Sequence, residues 1–317
     1  MRPATVACAA AVLLGHAAAY GEAARPLAHG WSLYPLDGMI SINGVACGGE
    51  QAALRTWHGD VAVFDGRSWT KLPRIPGHEQ GRTYGTAIAM APAGAEILIE
   101  VSGRIARWDG GDWSTIELPG WRGPIGAFAV LASGDLVVAG QGRIGLRSGS
   151  SVASYDAGTW RELSAVAGAA PGDLWTAGQG GTVMRHDARG WSRMATGTTA
   201  WVRGLFVTSP AAAWAWGGGA GPAGPLVLRW DGRVWAAAAH GLGAQIQGMA
   251  GDGARPWAVG DDFIARFDGA QWLVEVAASD IGSGYQAFRG ICASSRFLFA
   301  GSAGHDGGAL VRTLAGP

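Results

Sequence analysis

Apolar and polar positions follow one another in a repeating order along almost the whole chain. The unit is plainest between residues 173 and 194. An apolar run, Leu174-Trp175-Thr176-Ala177-Gly178, leads through a Gly-rich turn to a second run from Thr182 to His186. An Asp-led turn then ends at a Trp. Asp and Trp stand four apart in six copies: Asp65 and Trp69, Asp109 and Trp113, Asp156 and Trp160, Asp187 and Trp191, Asp231 and Trp235, Asp268 and Trp272. Four residues before each Asp stands a branched aliphatic: Val61, Ile105, Val152, Val183, Val227 or Ile264. Such residues suit the pleated face of a strand. Directly before each Asp stands a ring: Phe64, Trp108, Tyr155, His186, Trp230 or Phe267. Four copies read Asp-Gly, a hairpin signal. Each copy is thus expected to be a strand, a tight turn built on the Asp side chain, and a second strand opened by the Trp.

A further pair of strands precedes each copy. Trp257-Ala258-Val259-Gly260 and Ala213-Trp214-Ala215-Trp216 are short apolar runs, preceded by strand-like stretches such as Arg203 to Val207 and Phe128 to Leu131. The unit is therefore four short antiparallel strands, A to D. The Trp spacing, counted from Trp31, averages about 40 residues, the period of a β-propeller blade. At the start of the chain, Gly30-Trp31-Ser32-Leu33 matches a D strand with nothing before it; near the end, Leu310-Val311-Arg312-Thr313 matches a C strand with no D strand after it. Joined, the two half-blades make a seventh blade and remove a free sheet edge. The expectation is an all-β, seven-bladed propeller of four-stranded blades, closed by an N-terminal D strand that completes the last blade. It occupies residues 31–317 as one domain, behind a signal peptide at 1–19 and a short lead at 20–30.

The segment from Trp257 to Trp272 resembles the W-A-V-G…I-x-R-x-D-G-x-x-W repeat of exported bacterial β-propellers. Residues 173–191 and 212–235 match it well, and the other blades in part. The resemblance implies the fold and is silent on activity. The turn is also similar to the Asp-box of sialidases, S-x-D-x-G-x-x-W, but departs from it: the Trp here is four after the Asp, not five.

Composition adds compartment. Arg2, an apolar run from Ala4 to Leu14 and Ala17-Ala18-Ala19 read as a secretory signal with a small-residue cleavage site, too short to span a bilayer. The mature protein is expected outside the cytoplasm, in the periplasm, at the cell surface or beyond it, as a monomer without a membrane span. Cleavage leaves Cys47 and Cys292, both placed by the repeat near the ends of A strands in the first and last blades. They either pair as a disulfide, as an exported chain permits, or sit as two small buried apolar groups. Formal net charge is zero, so no basic footprint argues for nucleic acid.

Candidate chemistry is sparse. Arginine recurs two before the turn Asp at Arg107, Arg185, Arg229 and Arg266, and at Arg312 in the split blade. Equivalent positions around a ring point to a structural role for them, bonding backbone or an acidic partner. The seven His lack metal-ligand spacing, and no cofactor is expected; a Ca²⁺ site would have to be assembled from separate loops such as those carrying Asp261, Asp262, Asp280 and Asp306. The D–A and B–C loops, which share one face, carry Arg82, Tyr84, Trp121, Arg122, Trp201, Arg203, Tyr285 and His305. Loops on a rigid scaffold are where recognition usually resides. The leading expectation is a non-catalytic module that binds a protein or a glycan through that face. The alternative is a propeller-type hydrolase or lyase with an acid–base pair drawn from Glu79, Asp261, Asp262, Asp280 or His305.

Overall fold

The computed structural model of the chain describes residues 18–19, 24–76, 87–170, 172–218, 225–238, 241–251, 255–304 and 306–314. Three short strands come first: β1 (Ala18–Ala19), β2 (Arg25–Pro26) and β3 (Trp31–Pro35). Blade 1 follows as β4 (Ile42–Gly48), β5 (Gln51–Thr56), β6 (Val61–Phe64) and β7 (Trp69–Lys71). Blade 2 is β8 (Ile88–Met90), β9 (Ile97–Val101), β10 (Arg104–Trp108) and β11 (Trp113–Ile116). Blade 3 is β12 (Ile125–Val130), β13 (Leu136–Gly140), β14 (Arg143–Ser148) and β15 (Ser151–Asp156). Blade 4 is β16 (Leu163–Ala170), β17 (Asp173–Gly178), β18 (Thr182–Asp187) and β19 (Gly190–Arg193). Blade 5 is β20 (Val202–Ser209), β21 (Ala212–Gly218), β22 (Pro225–Trp230) and β23 (Trp235–Ala237). Blade 6 is β24 (Ile246–Gly251), β25 (Pro256–Gly260), β26 (Phe263–Phe267) and β27 (Trp272–Ala277), ending in one helical turn, α1 (Ala278–Ile281). Blade 7 has β28 (Tyr285–Ala293), β29 (Phe297–Gly304) and β30 (Gly308–Thr313) from the end of the chain, and takes β3 from its start.

The expected closure is present. Trp31 lies opposite Arg312, Leu33 opposite Leu310 and Pro35 opposite Gly308. The register differs by one residue from the alignment of Trp31 with the other turn Trp residues, which would set it against Thr313. No Asp-led turn joins β30 to β3, so nothing fixes the offset that the covalent hairpins impose. The lead before Trp31 also joins the ring, because β2 adds an outer strand to blade 7 and Arg25 Nη2 donates to the Ile281 carbonyl at 2.6 Å. Ala18 and Ala19 pair likewise with Lys71 and Thr70 on the outer edge of blade 1.

Five of the six Asp turns form as expected. In each hairpin the Trp lies directly across from the ring that precedes the Asp: Phe64 and Trp69, Trp108 and Trp113, His186 and Trp191, Trp230 and Trp235, Phe267 and Trp272. Their ring centroids are 5.2–5.7 Å apart, a cross-strand pairing that stabilises a sheet. The Asp side chain closes the turn. Asp231 Oδ1 accepts from the N–H groups of Arg233 and Val234 at 2.8 and 2.9 Å, and Asp65 and Asp268 do the same.

Blade 3 departs from the expectation. Asp156 and Trp160 do not make its C–D hairpin. The chain turns earlier, between Ser148 and Ser151, where Gly149 takes φ +58°, and Asp156 ends strand D. Asp156 still accepts from the Gly158 N–H at 2.7 Å. The motif's local bond survives while its place in the sheet does not, and Trp160 is left 80% exposed. This also accounts for the short interval between Trp160 and Trp191.

Apolar side chains fill the spaces between neighbouring blades. Phe64 and Trp69 of blade 1 pack with Phe297 and Phe299 of blade 7; the cluster is flanked by Cys47 and Cys292. Those two cysteines are joined as a disulfide with Cα atoms 5.7 Å apart, stapling the first A strand to the last across the seam. The repeated arginines lie on the blades. Arg185 stacks on Trp175 and Arg229 on Trp214, while Glu275 receives both Arg266 and Arg312. Arg107 pairs with Glu96. Spread around the ring in this way, they form no cluster that would grip one ligand.

Candidate binding site at the channel mouth

The innermost strands share a feature that simple alternation does not predict. In six blades the register of strand A slips by one residue against strand B: between Ile42 and Gly44, Ile125 and Ala127, Leu163 and Ala165, Val202 and Gly204, Ile246 and Gly248, and Phe288 and Gly290. Each slip is a β-bulge, which leaves one residue unpaired and re-aims its side chain. The extra residues are Asn43, Gly126, Ser164, Arg203, Gln247 and Arg289, and all six line one axial cavity of about 280 Å³. The sequence signal is a buried aliphatic or aromatic residue, a variable one, then Gly or Ala. It was available in the sequence and is not part of the Trp repeat.

Antiparallel order puts the D–A connections and B–C turns at the end of the channel where these bulges lie. Arg203 is exposed there. Its guanidinium carbon stands 4.2 Å over the Trp201 ring, and its Nε donates to the Gly218 carbonyl at 3.4 Å. Trp201 in turn donates from Nε1 to Ser164 Oγ at 2.9 Å. Arg289 pairs with Asp261 at 2.9 Å, and Gln247 Nε2 donates to the same Asp261 oxygen at 3.2 Å. Asn43 is only 8% exposed, and among the described residues neither its Oδ1 nor its Nδ2 has a hydrogen-bond partner. Arg203 and Arg289 are the charged side chains among those lining the cavity.

A second, larger cavity of about 690 Å³ adjoins the first. Glu100, Arg104, Gly126, Gln141 and Glu162 help to line it. Glu100 is buried; Oε1 accepts from the Gly103 N–H at 2.7 Å, while Oε2 has no hydrogen-bond partner among the described residues. Behind it, burial lowers the Arg55 pKa to about 10, against the opposing pull of the Glu100 charge. Arg55 Nη1 donates to the carbonyls of Ala87 and Glu100.

The other residues marked out by the sequence fall as follows. Trp121 is half-buried against Gly140 and Gly145, where an added Cβ would stand 3.1 and 3.2 Å from its ring, so it packs on blade 3. Tyr285 packs on the core between blades 6 and 7. Arg122 is exposed beside Trp121. Asp280 accepts from the Ala277 N–H at 2.7 Å and so caps α1; Asp262 is exposed. Glu79, Arg82, Tyr84 and His305 lie outside the described residues. Among the described residues no three His, Cys, Asp or Glu side chains converge as metal ligands would.

Fold and site together define a closed seven-bladed β-propeller with a polar ring built into the mouth of its channel. Solved structures similar to it have the same architecture and diverse roles. YCF48 bound to D1 peptide superposes with a TM-score of 0.67 at 16% identity, over 90% of this chain and 98% of that one. Virginiamycin B lyase from Staphylococcus aureus gives 0.69 at 14%, over 90% and 100%. The WD40 propeller domain of Doa1 gives 0.67 at 12%, over 90% and 97%. No family model and no curated protein sequence matches the chain. At such identities the likeness extends to the fold alone.

Proposed function

We propose that the protein is a non-catalytic binding module working outside the cytoplasm, which recognises a partner protein or a glycan at the channel mouth. The observation that carries the reading is the set of bulges, which delivers Asn43, Ser164, Arg203, Gln247 and Arg289 from five blades into one cavity. Bulges next to a site re-aim side chains, and here five of the six aim polar ones. The Asp261 carboxylate is held by two of them, Arg289 and Gln247. The propeller neighbours include one solved with a bound peptide. Export is supported by the apolar, small-residue start of the chain and by the joined Cys47 and Cys292.

One observation favours a second reading, a lyase or hydrolase: Glu100 and Glu162 line the same 690 Å³ cavity. A screen of ester, glycoside and cyclic-peptide substrates separates the two. The binding reading expects no turnover and expects glycan- or peptide-array binding that weakens in Arg203→Gln. Turnover that disappears in Glu100→Gln or Glu162→Gln would replace it with the enzymatic reading.

A further inference from the structure

We infer that the channel mouth is a carboxylate site, with Arg203 as its anchor and Asp261 as an internal competitor for the second arginine. The inference rests on the binding reading above and names the chemistry that is bound.

Arg203 is prepared for this role. The Trp201 ring lies 4.2 Å beneath its guanidinium carbon, and its Nε donates to the Gly218 carbonyl at 3.4 Å. Among the described residues its two terminal nitrogens have no partner. A planar guanidinium whose terminal donors are open matches the two oxygens of a carboxylate. Around it the bulges supply neutral donors, the Gln247 amide and the buried Asn43 amide, whose Nδ2 has no partner among the described residues.

Asp261 shows what such a site does with a carboxylate. One of its oxygens accepts from both the Arg289 guanidinium and the Gln247 amide, the bulge residues of blades 7 and 6. Asp261 itself is half-exposed, with 50% of its side chain accessible, so water competes for the pair and an entering carboxylate can displace it. Among the described residues this cavity's lining carries two positive side chains and no negative one, and Asp261 is the counter-ion of one of the two.

The carboxylate can come from a small organic acid or from an acidic side chain of a protein partner.

Two probes distinguish these sources: succinate, and a hexaglutamate peptide blocked at both ends. Binding is followed by calorimetry and by the fluorescence of the tryptophans near the mouth. At least one probe is expected to bind, more weakly as salt rises, with Arg203→Gln losing tenfold or more in affinity. Arg203→Lys is expected to recover only part of that loss, because an ammonium lacks the planar fork. Asp261→Asn should bind several-fold more tightly, since it releases Arg289; a merely structural role for Asp261 would not give a gain. Succinate binding alone assigns a small acid, and hexaglutamate binding alone an acidic segment of a protein. Failure of both probes with the wild-type protein, or equal affinity in wild type and a folded Arg203→Gln, would overturn the inference. That failure would leave the binding-module reading standing, because that reading is tested separately, by array binding and by the absence of turnover, and needs neither probe to bind.

Discussion

Trp175, in strand B of blade 4, meets Trp235, which opens strand D of blade 5, edge to face with ring centroids 5.9 Å apart. The same relationship recurs around the ring. Trp214 meets Trp272 at 5.9 Å, Trp257 meets Trp31 at 5.7 Å, and Phe299 meets Trp69 at 6.2 Å. The two apolar signatures of the repeat are therefore each other's partners between adjacent blades. In these four junctions one blade's B-strand ring receives the next blade's Trp; Trp31 does so for blade 7 against blade 6, and Phe299 and Trp69 meet across the seam.

Trp235→Ala should accordingly destabilise the protein by about 3–5 kcal/mol, as expected for removing a buried indole. Trp160→Ala should stay within about 0.5 kcal/mol of wild type, because Trp160 has left the sheet and is 80% exposed. Denaturant unfolding of the two variants tests this. Equal losses would mean that Trp160 occupies the same packing position as the others.

The Cys47–Cys292 bond closes a loop with a sequence separation of 245 residues across the blade 7–blade 1 seam. Restricting so long an unfolded loop is worth about 2–5 kcal/mol. The double variant Cys47→Ser/Cys292→Ser should show that loss in denaturant unfolding, and the oxidised wild type should migrate faster than the reduced form on a denaturing gel. Two free thiols in the purified, unreduced protein would contradict the staple.

Asp109, Asp231 and Asp268 have pKa values below the ordinary carboxylate value. The main causes are the backbone N–H groups of Asp112, Val234 and Gln271, each bonded to its turn carboxylate. A folded pKa below the unfolded one adds stability above the unfolded pKa, and that stability is lost as pH falls through the folded value. The loss should set in below about pH 4. Replacing all three by Ala should lower the thermal midpoint at pH 7, and the gap from wild type should narrow as the pH approaches about 2. A gap that does not change with pH would mean that the carboxylate charge adds nothing to the turn.

The Gly126 bulge has no room for a side chain. A Cβ there would stand 2.2 Å from the Leu163 carbonyl oxygen of the next blade. Backbone cannot step aside as a flexible side chain would, so Gly126→Ala should cost about 1–3 kcal/mol by overpacking. Ser164→Ala, at the corresponding slip in blade 4, should be milder, since it loses the bonds to the Trp201 Nε1 and the Val202 carbonyl without forcing backbone apart. Thermal midpoints of the two variants make the comparison.

The ring was legible in the sequence because its determinants are local. The Asp that caps its own turn, the ring before it and the Trp after it lie within a few residues of one another, and the half-blades at Trp31 and Leu310 announce their own incompleteness. Asp156 shows where local reading fails. It makes its expected bond to Gly158, yet the two-residue turn at Gly149 has already reversed the chain, and only the sheet register reveals it. The candidate site was less legible still. Trp201 and Arg203 could be picked out as residues of recognition type, but Arg203, like Asn43, Gln247 and Arg289, lies within a strand and not in a loop. A strand read by strict alternation assigns them no special direction, and the bulge that turns them into the channel is a long-range property of the A–B pairing.

The central claim is that ligand is bound at the channel mouth. Hydrogen–deuterium exchange with and without the tightest carboxylate or array ligand tests it most directly. Binding should slow exchange in residues 201–206, 245–249 and 285–291, which carry the Arg203, Gln247 and Arg289 bulges, and leave the turns at residues 65–69, 231–235 and 268–272 unchanged. Protection confined to those Asp turns, at the opposite end of the propeller, would contradict the account.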